Sequence, residues 1–188
     1  MKNTIIIAFL IITSNCISQK NCEYSNEIKD SIGTYKTTKD YLVFEKNFGS
    51  THDYVYFFLA NTDGVPSLNA QFINKSAGFI KSKCVDKNSK LMFKLQNGKI
   101  ITMIAVDKDD CGTMLTDENK NNIRLLTTQF LFLKGTLEEL KSSPISFLRI
   151  KFLTETQDYV FTKRLLSEMD NLYYEPENYF INFLKCLE

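Results

Sequence analysis

Residues 90–106 read KLMFKLQNGKIITMIAV. Leu91, Phe93 and Leu95 alternate with Lys90, Met92 and Lys94 up to Asn97-Gly98, and a second apolar run, from Ile100 to Val106, follows the glycine. Alternation at period two marks a strand with one buried face. Asn-Gly between two such runs is the strongest short hairpin signal. A two-residue turn sets Gln96 opposite Lys99, so that facing residue numbers sum to 195. In that register Leu91, Phe93 and Leu95 share the core face with Ile100 and Ile104. Cys84 and Cys111 also sum to 195, which places them opposite each other at the base of the hairpin, within bonding reach.

Other strand-like runs flank the hairpin: 41–48 (YLVFEKNF), 54–60 (YVYFFLA), 68–73 (LNAQFI), 78–81 (GFIK), 124–133 (RLLTTQFLFL), 145–153 (ISFLRIKFL) and 158–163 (DYVFTK). The stretches 54–59 and 130–133 are apolar on both faces and read as central strands covered from both sides. Thr136-Leu137-Glu138-Glu139 has the spacing of a capping box that opens a short helix through Ser142, which Pro144 stops. Pro176 opens a second helix, in which Tyr179, Phe180, Phe183, Leu184 and Leu187 recur at helical spacing. The fold class is α+β: an antiparallel sheet of seven or more strands with a short crossover helix and a C-terminal helix. The alternative is a lipocalin-like up-and-down barrel with a terminal helix, enclosing a cavity.

The first residues look like a secretory leader. Met1-Lys2-Asn3 is a short positive start, 4–12 (TIIIAFLII) is apolar but too short for a permanent span, and 13–18 (TSNCIS) is small and polar. Residues 1–18 read as a signal peptide cleaved before Gln19, and 19–188 as one domain. The rival reading is a lipoprotein signal with Cys16 as the lipidated residue, which Asn15 and Thr13 fit poorly. Either way the chain is exported, to the periplasm or medium or, as a lipoprotein, to the outer membrane. No other stretch is long enough to cross a membrane as a helix. Of five cysteines, export leaves Cys22, Cys84, Cys111 and Cys186. An even set outside the cytoplasm reads as two disulfides, and once Cys84–Cys111 is drawn, Cys22–Cys186 follows by elimination.

Composition excludes some functions. The net charge of +1 leaves no basic field for nucleic acid. Fifteen Phe and nine Tyr against seven Gly and no Trp point to a strand-rich aromatic core. Residues 107–118, DKDDCGTMLTDE, overlie a calcium-loop pattern at Asp107, Asp109, Gly112 and Glu118. Cys111 stands where a ligand is required, however, and a strand rather than a helix leads in. The segment therefore reads as an acidic exit loop, with Asp107, Asp109 and Glu118 as its candidate metal donors. The single histidine, His52, lies in a polar turn beside Asp53, with no G-x-S-x-G elbow to complete a triad. The carboxylate pairs Asp109/Asp110, Asp117/Glu118, Glu138/Glu139 and Glu155/Asp158 are of the type a glycoside hydrolase needs, but fall in loops or on a helix surface. Tyr173, Tyr174, Tyr179 and Phe180 read as the place where the last helix docks rather than as a stacking platform. No P-loop, dinucleotide fingerprint, zinc motif or other cofactor motif is present.

The leader ending before Gln19, the hairpin running into DKDDCG, and KSSPISFLRIKF after a short helix resemble small exported proteins of Bacteroidota-type bacteria with no assigned activity. The resemblance implies an envelope or extracellular setting and carries over no functional residue. Asp30-Ser31-Ile32 is similar to the D-[ST]-aliphatic acceptor pattern for O-glycans in such bacteria, with Ser31 as the acceptor. The resulting expectation is an exported non-catalytic domain that binds an envelope protein or a small ligand and uses no cofactor. The alternatives are a secreted carboxylate-dependent hydrolase and a barrel-type carrier of an apolar ligand.

Overall fold

The computed structural model describes residues 20–106 and 109–187. The leader, with Cys16, and Asp107 lie outside them. In chain order the elements are β1 (Tyr24–Lys29), β2 (Thr34–Thr38), β3 (Tyr41–Phe48), β4 (Thr51–Thr62), β5 (Val65–Ser76), β6 (Lys90–Leu95), β7 (Ile100–Ala105), β8 (Thr113–Thr116) and β9 (Asn122–Leu131). Then come α1 (Thr136–Ser142), β10 (Ile145–Lys151), β11 (Thr156–Val160), β12 (Leu165–Leu166), β13 (Tyr173–Tyr174) and α2 (Tyr179–Phe183), the last flanked by 3-10 turns at Pro176–Asn178 and Leu184–Leu187.

The β6–β7 hairpin forms, but its turn is one residue longer than the two-residue reading requires. The Leu95 N–H donates to the Lys99 carbonyl at 2.9 Å and the Gly98 N–H to the Leu95 carbonyl at 3.0 Å. The loop is therefore Gln96-Asn97-Gly98, with Gly98 at φ +87°, the left-handed position of a three-residue loop. Facing numbers sum to 194, with Leu91 opposite Met103 and Phe93 opposite Ile101. A slip of one residue turns a whole strand over. Ile101, Met103 and Ala105 are buried, while Ile100 is 67% and Ile104 38% exposed, the reverse of the expected face. A Cβ on Gly98 would meet nothing within 4 Å, so Gly98→Ala carries only the left-handed backbone penalty. It is expected to cost about 1 kcal/mol, read as a small drop in the urea midpoint, with Gly98→Asn costing less.

Hydrogen bonding joins eleven strands in the order β1-β2-β4-β5-β9-β7-β6-β10-β11, with β3 also on β4 and β8 also on β9. All of the recorded pairs in it are antiparallel. Because β5 takes one edge of β4, β2 and β3 lie end to end along the other edge, as one strand broken at Lys39-Asp40. In the same way β7, which ends at Ala105, and β8, which begins at Thr113, share the other edge of β9. The sheet curls until Phe44 on β3 meets Tyr159 on β11, with ring centres 4.9 Å apart, yet its ends do not pair and it is not closed into a barrel. The lipocalin-like alternative is thereby corrected. The curl is filled by Phe57, Phe93, Phe130, Tyr179 and Phe180, all fully buried. Phe57 packs on Phe93 at 5.9 Å and on Tyr179 at 5.4 Å.

Other local expectations change. Residues 78–81 form no strand: Phe79 is exposed and only Ile80 turns inward. The stretch 54–59 is covered fully on one face only, since Tyr54, Tyr56 and Phe58 stay half-buried. They are partly sheltered by the β12–β13 segment, whose Met169 sulfur accepts from Tyr56 at 3.7 Å. Likewise Phe130 is buried but Leu133 exposed. Thr136 is the first helical residue of α1 rather than its cap. Its hydroxyl donates to the Leu133 carbonyl at 2.7 Å, and Gly135 at φ +81° precedes the helix with no side-chain cap, so the capping box does not form.

Candidate functional site

Both breaks in the paired strands carry chemistry. Between β7 and β8, Cys111 is bonded to Cys84. Val85 and Asp110 exchange both backbone hydrogen bonds, at 2.8 and 3.1 Å, in a register that sums to 195. The hairpin itself runs at 194. Between Val85 and Lys90 the chain takes one step fewer than between Ile104 and Asp110, which restores the residue lost at the turn. Gly112 sits at φ +68°, where a Cβ would lie 2.4 Å from the Leu125 carbonyl oxygen, so only glycine lets the loop lie this close to β9. The Asp110 carboxylate accepts the Gly112 N–H at 2.8 Å. Asp109 and Glu118 lie at opposite ends of β8, whose four extended residues span about 13 Å. Among the described residues no three His, Cys, Asp or Glu side chains gather closely enough to hold a metal ion.

Most of the remaining titratable candidates have local partners. His52 Nδ1 pairs with Asn47 Oδ1 at 2.8 Å, while Asp53, next along the strand, accepts from Asn74 at 2.5 Å. Asp117 receives Lys75 at 2.6 Å, and its carboxyl is held well below the usual range by hydrogen bonds from Lys75 and Asn121. Glu139 is bridged to Lys99 and Glu155 to Lys81. Asp158 takes both arms of Arg149 at 2.7 Å. Ser31 is exposed at the β1–β2 tip, where the Asp30 carboxylate accepts the N–H groups of Ile32 and Gly33.

The break at Lys39-Asp40 forms one wall of an open cleft of about 390 Å³, to which Lys20, Thr38, Asp40, Tyr41, Tyr179 and Phe183 contribute. Cys22, bonded to Cys186, ties the N-terminal wall to the C-terminal turn. Tyr41 is the hub. Its ring meets Tyr174 edge-on at 5.1 Å, Tyr179 at 5.5 Å and Phe183 at 4.9 Å. Its hydroxyl accepts the Glu175 N–H at 2.7 Å and the Lys20 ammonium at 3.3 Å. Lys20 also lies 5.5 Å from the ring centre and 3.3 Å from the Glu175 carboxylate. Lys39 is bridged to Glu23 at 2.8 Å. Asp40 is an exposed residue that forms neither an ion pair nor a side-chain hydrogen bond with the described residues, and partial desolvation at the cleft wall raises its carboxyl above the usual value. Beneath the cleft Tyr179 is fully buried, and its hydroxyl has no hydrogen-bond partner among the described residues. The nearby Thr38 hydroxyl accepts the Leu59 N–H at 2.9 Å, keeps its own proton, and opposes slightly the rise that burial imposes on the phenol.

Of the aromatic residues singled out from sequence, Tyr179 and Phe180 form core and cleft floor. Tyr174 bonds Asp170 at 2.5 Å, and exposed Tyr173 stacks on Arg164 at 3.7 Å. Sequence reasoning missed Lys20, Asp40 and Tyr41. The only local trace was the polar pair Lys39-Asp40 interrupting an extended run. Compared with protein-family models, curated proteins and solved structures, the chain matches none.

Proposed function

We propose that the protein is an exported, disulfide-stapled domain without catalytic activity, and that the cleft beside Tyr41 is where a small ligand docks. The observation that carries this reading is the cleft's make-up: an aromatic floor, a carboxylate without a counter-charge and a buried hydroxyl without a partner, in one concavity of ligand size. Two disulfides suit an oxidising compartment, and no helix of the described residues is long and apolar enough to cross a membrane. Of the carboxylates expected of a hydrolase, Asp117, Glu139, Glu155 and Asp158 are held in separate surface ion pairs, which favours binding over hydrolysis. The test is a fragment screen by amide-resolved NMR on the oxidised protein. Shifts are expected to converge on 38–41 and 179–183. Perturbations scattered elsewhere, or none, would remove the reading.

A further inference from the structure

We propose that the ligand of this cleft carries a primary ammonium group, seated between the Asp40 carboxylate and the ring faces of Tyr41 and Phe183. The inference rests on the cleft being the docking site and adds the chemical class.

Charge is the first ground. Lys20 and Lys39 are matched by Glu175 and Glu23, which leaves the negative charge of Asp40 uncompensated. An anion brought here would meet that charge, whereas a cation would neutralise it. The second ground is the arrangement of rings. Tyr41, Tyr179 and Phe183, which line the cleft, are inclined to one another at 44° to 57° and offer no flat platform for a sugar. Aromatic rings beside a carboxylate suit an ammonium. The third ground is that the protein already seats one at the rim. The Lys20 ammonium sits at the hydroxyl end of Tyr41, 3.3 Å from its oxygen and 5.5 Å from the ring centre, and is shared with the Glu175 carboxylate.

Lys20 is then a weak internal competitor, and this makes the proposal testable in both directions. The probe is phenethylamine, titrated by NMR into the oxidised protein, with methyl glucoside and acetate in parallel. Phenethylamine is expected to shift the amides of Asp40, Tyr41 and Phe183 at millimolar concentration. Asp40→Asn is expected to weaken it fivefold or more, and Lys20→Ala to tighten it two- to threefold. Both residues are surface positions, and the rest of the amide spectrum reports whether the fold is intact. If methyl glucoside or acetate moves these amides and the amine does not, the class is wrong while the cleft remains the docking site. Amine binding indifferent to Asp40→Asn also overturns the class. If no probe in the fragment screen or in this panel touches the cleft, the docking reading itself fails.

Discussion

Raised from pH 9 to pH 12, the protein is expected to lose roughly 5 kcal/mol of stability through two tyrosines alone. Tyr159 and Tyr179 are 3% and 1% exposed. Burial is the main cause that pushes both phenols far above their ordinary value, assisted at Tyr159 by Asp53 and Glu155. In the unfolded chain each loses its proton near pH 10, whereas in the folded chain each keeps it. Above pH 10 the folded state thus holds two more protons than the unfolded one, and every further pH unit costs about 1.4 kcal/mol per ring. Below pH 10 both states are protonated and the effect vanishes. Tyr56, pushed up to about 12 by burial and then Glu45, and Tyr174, raised by burial and Asp170, act in the same sense, weakened by solvent. A loss of this size consumes much of an ordinary domain's stability.

By ultraviolet absorbance the buried Tyr159 and Tyr179 rings ionise only with loss of the fold. Urea midpoints fall steeply between pH 10 and 12. Tyr159→Phe or Tyr179→Phe flattens that slope by about 1.4 kcal/mol per pH unit. Tyr179→Phe does so at little cost near neutrality, because the hydroxyl it removes has no partner. If all nine tyrosines titrate together near pH 10 with the fold intact, the buried ring cluster is wrong.

That cluster was only half legible in the sequence, and the hairpin shows why. Asn97-Gly98 announces a bend, but the same dipeptide serves a two-residue loop and, as here, a three-residue loop with glycine in the left-handed place. The burial pattern should arbitrate. β6 alternates cleanly, yet Ile100, Ile101, Met103 and Ile104 leave β7 apolar on both faces, so either register looked satisfied. The sulfur pairing survived this because the extra residue after Ile104 cancels the turn's slip, an offset that no short-range pattern encodes. β1 and β2 were missed for the opposite reason. YSNEIK is an edge strand with mostly exposed faces, and TYKTT, paired on both sides, buries only the adjacent polar residues Thr37 and Thr38, so neither offers an apolar alternation to read. The cleft was the least legible feature: Lys20, Asp40, Tyr41 and Phe183 converge only because the sheet edge and the last helix meet there, and no spacing rule links residues so far apart.

Removing the Cys22–Cys186 bond should lower stability more than removing Cys84–Cys111, despite the near identity of the chemistry. The first bridge spans 164 residues and the second 27. Loop-closure entropy in the unfolded chain makes them worth about 5 and about 3.5 kcal/mol respectively. In the double variant Cys22→Ala/Cys186→Ala the unfolded chain expands, so the urea midpoint falls and the m-value rises. The folded state keeps other ties at that point: the Tyr24 hydroxyl donates to the Cys186 carbonyl at 3.2 Å, and Asn61 donates to the Leu187 carbonyl at 2.7 Å. The sheet is therefore expected to persist, with β1 and the C-terminal turn fraying first. Fraying reaches the cleft, because Lys20 is only two residues from Cys22 and one wall moves with it. Amine affinity should then drop in this variant even where circular dichroism still reports the native sheet, while Cys84→Ala/Cys111→Ala, anchored at the other strand break, should leave the cleft unaltered. Equal losses from the two bridges would mean that chain entropy does not set their contributions, and unaltered cleft shifts in the first variant would mean that the sulfur bond does not hold that wall.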